Sequence, residues 1–254
     1  MSLGVLVLAR LNSTRLPGKM MLPILGKPLI TLLSERLFAS GFEGPYILAT
    51  STSPSDNPLV ELGSQLGFQC FRGSEDDVVD RMQAAMKHFR LDFAVVIEGD
   101  ELFVDSKVIS ALMRLASKNE HNVIKVKSGP IGSWITGISF QSIEHINKSK
   151  GDASTDGWVD LFKKIPSQIS LDYDPPLPYF NRKIRLTIDY PQDLLLATEI
   201  YQLIGKNDDV HSLYKVLDLL SERSDLIAIN SELDEIYWKR LRGQQGKSQT
   251  NEIN

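Results

Sequence analysis

Short apolar runs at 5–8, 46–49 and 94–97 read as buried strands, and between them lie longer stretches whose apolar residues recur three and four apart, as on one helix face. Those stretches are 29–38, 59–66, 77–89 and 107–116. Strand and helix therefore alternate, which calls for an α/β domain with a mostly parallel sheet. Such sheets bind ligands beyond the carboxyl ends of their strands.

Past Asn122 the alternation loosens into NVIKVKSG, WITGISF and SQISLDY, three expected strands of a mixed region. KIRLTIDYPQDLLLATEIYQLI then restores a strand and a helix, with Pro191 suited to a first helical turn just after a strand that ends in Asp189. HSLYKVLDLLSE makes a last amphipathic helix. The tail 242–254 has almost nothing to bury and is expected to be disordered, leaving 1–241 as one domain without internal repeats.

Composition narrows the function classes. At 254 residues with 42% hydrophobic content the chain can bury a sizeable core, and a formal net charge of −4 denies it the general basic surface of a non-specific nucleic-acid binder. Cys70 is the only cysteine, which excludes an internal disulfide framework and a cysteine-cluster metal site and fits a reducing compartment, so the cytoplasm is expected. Arg10 interrupts the first apolar run too early for a secretory leader, and no stretch of eighteen apolar residues suggests a membrane span.

Against that acidic balance, VLVLARLNSTRLPGK stands out. Arg10, Arg15 and Lys19 follow one strand within a single loop of small residues. Spaced cations and backbone amides at a strand end can hold a polyanion such as a triphosphate, although surface ion pairing is the ordinary use of such residues. The loop lacks the GxxxxGK[ST] pattern of ATPase-type phosphate loops. A second feature is VVIEGDELFVD, an apolar strand delivering Gly99 and Asp100 to the same sheet edge. Asp189 repeats the arrangement after IRLTI. A carboxylate there suits Mg²⁺ shared with substrate phosphates, while an aspartate after a strand also serves as a helix cap or turn residue. Cations opposite carboxylates suit phosphoryl or nucleotidyl transfer.

ARLNSTRLPGKMMLPILGKPLI resembles the signature of the cytidylyltransferases that make CMP-activated sugar acids, namely CMP-Kdo synthetase, CMP-sialic acid synthetase and the spore-coat polysaccharide group. FRGSEDDVVDRM is similar to a matching segment of the spore-coat group, EGDELFVD to the QGDEP metal segment, and RLTIDYPQDL to the second metal segment, usually DTPED. The resemblance implies a Rossmann-like nucleotide-diphospho-sugar transferase fold and transfer of CMP from CTP to a sugar acid. In that reading Leu8, Ala9, Arg10 and Ser13 meet the nucleotide. Arg15 and Lys19 hold the triphosphate and stabilise departing pyrophosphate, with Asp100 beside them in catalysis. Asp100 and Asp189 bind Mg²⁺. Arg72, Ser74 and Asp77 face the base or ribose, or else form a loop and helix cap. The region 122–184 shapes the acceptor pocket and a homodimer contact, and the product feeds surface glycan synthesis.

The chain departs from the pattern it resembles at Val96, where an arginine is expected in the spore-coat group, and at Leu102, where a proline is usual. The acidic DVEVF stretch of the spore-coat group is absent from the middle region. Trp134 and Trp158 could stack on a sugar or simply fill core, and His88, His121, His145 and His211 show no metal-ligand spacing. Two other readings stay open. One is a sugar 1-phosphate nucleotidyltransferase, whose usual GGxGTR opening is missing here; the other is a non-catalytic nucleotide-binding relative.

Overall fold

The computed structural model describes residues 1–118, 122–126, 129–151, 155, 157–165, 168–171, 184–205 and 211–236. Four strands, β1 (Leu3–Leu8), β4 (Tyr46–Ser51), β5 (Gln69–Gly73) and β6 (Phe93–Glu98), lie parallel in the order β5-β4-β1-β6. Between β1 and β4 comes a small hairpin, β2 (Pro23–Ile24) with β3 (Lys27–Pro28). The sheet continues through β8 (Ile135–Ser139), antiparallel to β6, then β7 (Val123–Val126) and β9 (Gln168–Leu171). A mostly parallel sheet with one reversed strand is the mixed architecture expected.

The crossovers are α1 (Leu29–Phe38), α2 (Asn57–Leu66), α3 (Val78–His88) and α4 (Ser106–Ala116), matching the four periodic stretches within two residues. α5 (Phe140–Ser149) follows β8, with Ser139 accepting the Ser142 N–H as its cap. The later helices are α6 (Pro191–Ile204), α7 (Leu213–Glu222) and α8 (Ser224–Ala228). Among the described residues no helix is long and apolar enough to cross a membrane. Apolar side chains of β1, β4 and β6 alternate between the two sheet faces, so Val5 and Val7 join one core and Leu6 and Leu8 the other.

The β2–β3 hairpin, α8, β5 and α5 escaped the pattern. β5 reads QCFRG with no fully buried residue, so it carries no apolar run, and α5 reads FQSIEHINKS with only three buried positions. One expectation is corrected. Residues 184–189 form no strand, and their one bridge, between Ile131 and Arg185, lies outside the named strands. Their backbone is satisfied by loops instead. Leu186 N and Thr187 N donate to the Ile131 carbonyl, and Ile188 N donates to the Asp100 carbonyl. Gly132, at φ +90°, permits this approach, because a Cβ there would lie 2.0 Å from Thr187 N. The expected disordered tail lies outside the described residues.

Candidate active site

Where β1 ends, the chain runs into the cationic loop, and one buried carboxylate anchors it. Asp56 accepts the Leu11 N–H at 2.7 Å while also accepting Thr50 Oγ1 at 2.8 Å, Ser51 N at 3.1 Å and Ser51 Oγ at 2.5 Å. Burial alone would raise the Asp56 carboxyl, but these bonds outweigh it and hold it below the ordinary aspartate range. The loop closes on itself through Gly18 N to the Leu11 carbonyl at 2.9 Å. Gly18, at φ +67°, then starts the short 3₁₀ turn Lys19–Met21, which buries Met20 and presents Lys19.

Asp100 arrives one residue after Gly99, whose N–H donates to the Leu8 carbonyl at 2.8 Å. A Cβ at Gly99 would sit 2.8 Å from Met20 Sδ and 2.9 Å from Ala9 Cβ, so glycine lets the two sheet-edge loops meet. At their junction Lys19 Nζ donates to Asp100 Oδ2 at 2.6 Å, to Asp189 Oδ1 at 3.1 Å and to the Ile188 carbonyl at 3.1 Å. Arg15 donates to the same Asp189 oxygen at 2.5 Å. Burial opposes the lysine charge, yet Asp100 and Asp189 outweigh it and hold the ammonium above its ordinary range. Burial likewise opposes the Asp189 charge, and Lys19 with Arg15 wins, keeping that carboxyl low.

A cavity of about 370 Å³ opens over this junction. Leu8, Ala9, Arg10, Ser13, Arg15, Lys19 and Asp100 all line it, and Asp189 joins them through Arg15 and Lys19. Arg72, Ser74 and Asp77 do not line it. The Arg72 guanidinium is spent on the Ser51 and Ser53 carbonyls and Asn57 Oδ1, at 3.0, 2.6 and 2.7 Å. Ser74 accepts the Asp77 N–H, and Asp77 caps α3 by accepting the Asp80 N–H at 2.9 Å and pairs with Lys150. Ser74 and Asp77 follow the loop-and-cap alternative, whereas Arg72 lies within β5. From the same stretch the cavity wall takes Val78 and Arg81, both in the first turns of α3.

One wall residue, Glu98, carried no assignment from sequence. Glu98 lines the cavity and accepts Trp158 Nε1 at 2.9 Å; burial and the nearby Asp100 push its carboxyl up to about 7. Trp158 is buried and packs edge-on against Phe162, so it is core and wall at once. Trp134 lies off the cavity and donates to the Gly129 carbonyl at 3.1 Å. Among the described residues no three His, Cys, Asp or Glu side chains group as a metal cluster. Behind Asp189, Arg185 and Asp193 form a buried ion network that stands in the sequence on either side of it, an arginine inside an apolar run being the one legible signal. Val96 and Leu102, the departures from the family pattern, are both buried in the core and leave the cavity lining untouched.

A cytidylyltransferase family model matches residues 4–165, which include the cationic loop and Asp100. The spore coat polysaccharide biosynthesis protein SpsF of Bacillus subtilis is 27% identical over 229 residues, 87% of this chain and 94% of its own. A 3-deoxy-manno-octulosonate cytidylyltransferase of Psychrobacter cryohalolentis is 26% identical over 153 residues, 58% of this chain and 56% of its own. A cytidylyltransferase structure from Leptospira borgpetersenii superposes with a TM-score of 0.79 at 22% identity, covering 89% of this chain and 97% of that one, and shares the Rossmann-like fold. With the family match spanning more than half of its length, the chain belongs to the cytidylyltransferase family and is a CTP-dependent nucleotidyltransferase.

Proposed function

We propose that the cavity transfers CMP from CTP to a hydroxyl of a sugar acid, a 2-keto-3-deoxy sugar such as Kdo or a nonulosonic acid, for surface glycan synthesis in the cytoplasm. The observation that carries this reading is the Lys19 ammonium shared between Asp100 and Asp189, with Arg15 on the same Asp189 oxygen. Cations for a triphosphate and carboxylates for a metal meet at one point. The acceptor oxygen bonds to the α-phosphorus and gives up its proton to water, while the bond from that phosphorus to the β-phosphate oxygen breaks and pyrophosphate leaves. Arg10 and Arg15 neutralise the bound triphosphate, and Lys19 with Arg15 stabilises the charge that grows on the leaving group.

The donor set fits Mg²⁺. Asp100 and Asp189 already share one cation, and Mg²⁺ is ordinarily held by one or two carboxylates with substrate phosphates completing its shell. When bound there, the metal would supply Lewis-acid neutralisation of the phosphate being attacked. Gly99 keeps the approach between Asp100 and the loop free of side-chain bulk. A homodimer is part of the same proposal, and light scattering tests it directly.

Calorimetric titration with CTP, UTP, ATP and GTP, with Mg²⁺ and again with the metal chelated, tests the reading. Selective CTP binding strengthened by metal, followed by pyrophosphate release with Kdo or N-acetylneuraminic acid, is the expected result. Preference for another nucleotide would turn the assignment toward sugar 1-phosphate acceptors.

A further inference from the structure

Asp189 gives its two oxygens to different partners. Oδ1 faces the cavity cations Arg15 and Lys19, whereas Oδ2 accepts Arg185 from behind at 3.3 Å. Arg185 is only 1% exposed, and its fork is fixed by Asp193, with Nε to Oδ1 at 3.0 Å and NH2 to Oδ2 at 3.3 Å. Asn230, in the turn after α8, donates to Asp193 Oδ1 at 2.8 Å and to the Arg185 carbonyl at 3.0 Å. Asp193 closes the ring by accepting the N–H groups of Asp189 and Tyr190 at 3.0 and 2.9 Å. Both the backbone of Asp189 and its rear oxygen are therefore held before any ligand arrives. All of these groups lie beyond residue 165, outside the family match.

A carboxylate can meet a cation with one oxygen or with two. Ca²⁺ takes two readily, being large and irregular in its coordination, whereas Mg²⁺ demands a small octahedral shell of single oxygens. Resting on the proposed metal role of Asp189, we propose that Arg185, braced by Asp193 and Asn230, is a positioning residue. It leaves Asp189 one oxygen for the metal and so favours a small octahedral cation over Ca²⁺. Outer-shell partners of this kind orient the ligand and tune the metal it prefers.

Protein-bound Mn²⁺ can be followed by water-proton relaxation enhancement in the full chain with CTP and no acceptor, with Mg²⁺ and Ca²⁺ as competitors. Wild type is expected to release Mn²⁺ more readily to Mg²⁺ than to Ca²⁺. Arg185→Lys keeps the charge but loses the fork, and should weaken Mn²⁺ about 10-fold. It should also move the competition toward Ca²⁺, while CTP binding with the metal chelated stays unchanged. A folded Arg185→Lys protein with the wild-type Ca²⁺ to Mg²⁺ competition ratio overturns the proposal. Asn230→Ser preserves every charge and should shift the ratio the same way by less; if Arg185→Lys does not fold, an unshifted ratio in Asn230→Ser overturns it. Wild type that binds CTP but no Mn²⁺ overturns the metal reading and the clamp with it. Bound Mn²⁺ with an unshifted ratio strikes the clamp alone.

Discussion

Two stretches bring opposite charge to the same cavity by different means. The loop 9–19 extends β1 and closes through its own backbone, with its start held by buried Asp56 and by Arg10 and Asn12 donating to Glu75. The segment 184–193 has no strand of its own; its shape comes from loop carbonyls, the missing side chain of Gly132 and the buried Arg185–Asp193–Asn230 network. The first is local chemistry on a scaffold. The second is a long-range assembly in which stability and site geometry are the same interactions.

The comparison predicts where mutations should hurt. Arg185→Met leaves Asp193 a buried carboxylate without its cation, takes one of three cations from Asp189, and should cost about 3–5 kcal/mol, read by denaturant unfolding. Lys19→Ala should do the reverse. Asp100 loses its ion-pair partner but lines the cavity, where water can reach it, and Asp189 keeps Arg15 and Arg185, so stability should fall less than in Arg185→Met, while pyrophosphate release should drop about 10²–10³-fold. Equal loss of stability in the two variants would erase the distinction between the stretches.

Asp56 probes the loop's buried anchor. Asp56→Asn removes a charged acceptor from four donors and should cost about 2–3 kcal/mol at neutral pH. Because the folded carboxyl lies below its unfolded value of about 3.9, the wild-type advantage is complete above that pH and fades as pH falls toward the depressed folded value. Unfolding free energies of the two proteins should therefore converge in acid; a gap constant with pH would show that charge is not what anchors the loop. The smallest effect belongs to Asp77→Ala, which loses a helix cap and should cost about 1 kcal/mol. Its CTP affinity should stay at the wild-type level, since Asp77 does not line the cavity; a large drop in calorimetric affinity would return Asp77 to the nucleotide site.

The same contrast explains what could be read in advance. Residues 5–8, 46–49 and 94–97 are apolar at consecutive positions because both faces of a central strand are buried, and that requirement is written in each short window. β5 and α5 are partly exposed edge elements with weaker patterns. Arg10, Arg15, Lys19 and Asp100 were legible because a strand end determines where the next few residues must lie. Arg72, by contrast, sits on an edge strand whose neighbouring turn offers three acceptors, and a motif position does not reveal that its fork is already occupied.

By itself, then, the sequence determined the alternating α/β architecture, the strand ends that carry the cationic loop and Asp100, and the family to which they belong. Only the tertiary structure decided that Lys19 reaches both Asp100 and Asp189, that Glu98 and Trp158 close one wall, and that Arg185 holds Asp189 from behind. Periodicity reports which face of an element is buried, and that is a local property. The meeting of Lys19 with Asp189, 170 positions away, depends on where crossovers and loops bring separate sheet edges together, which no short window of residues contains.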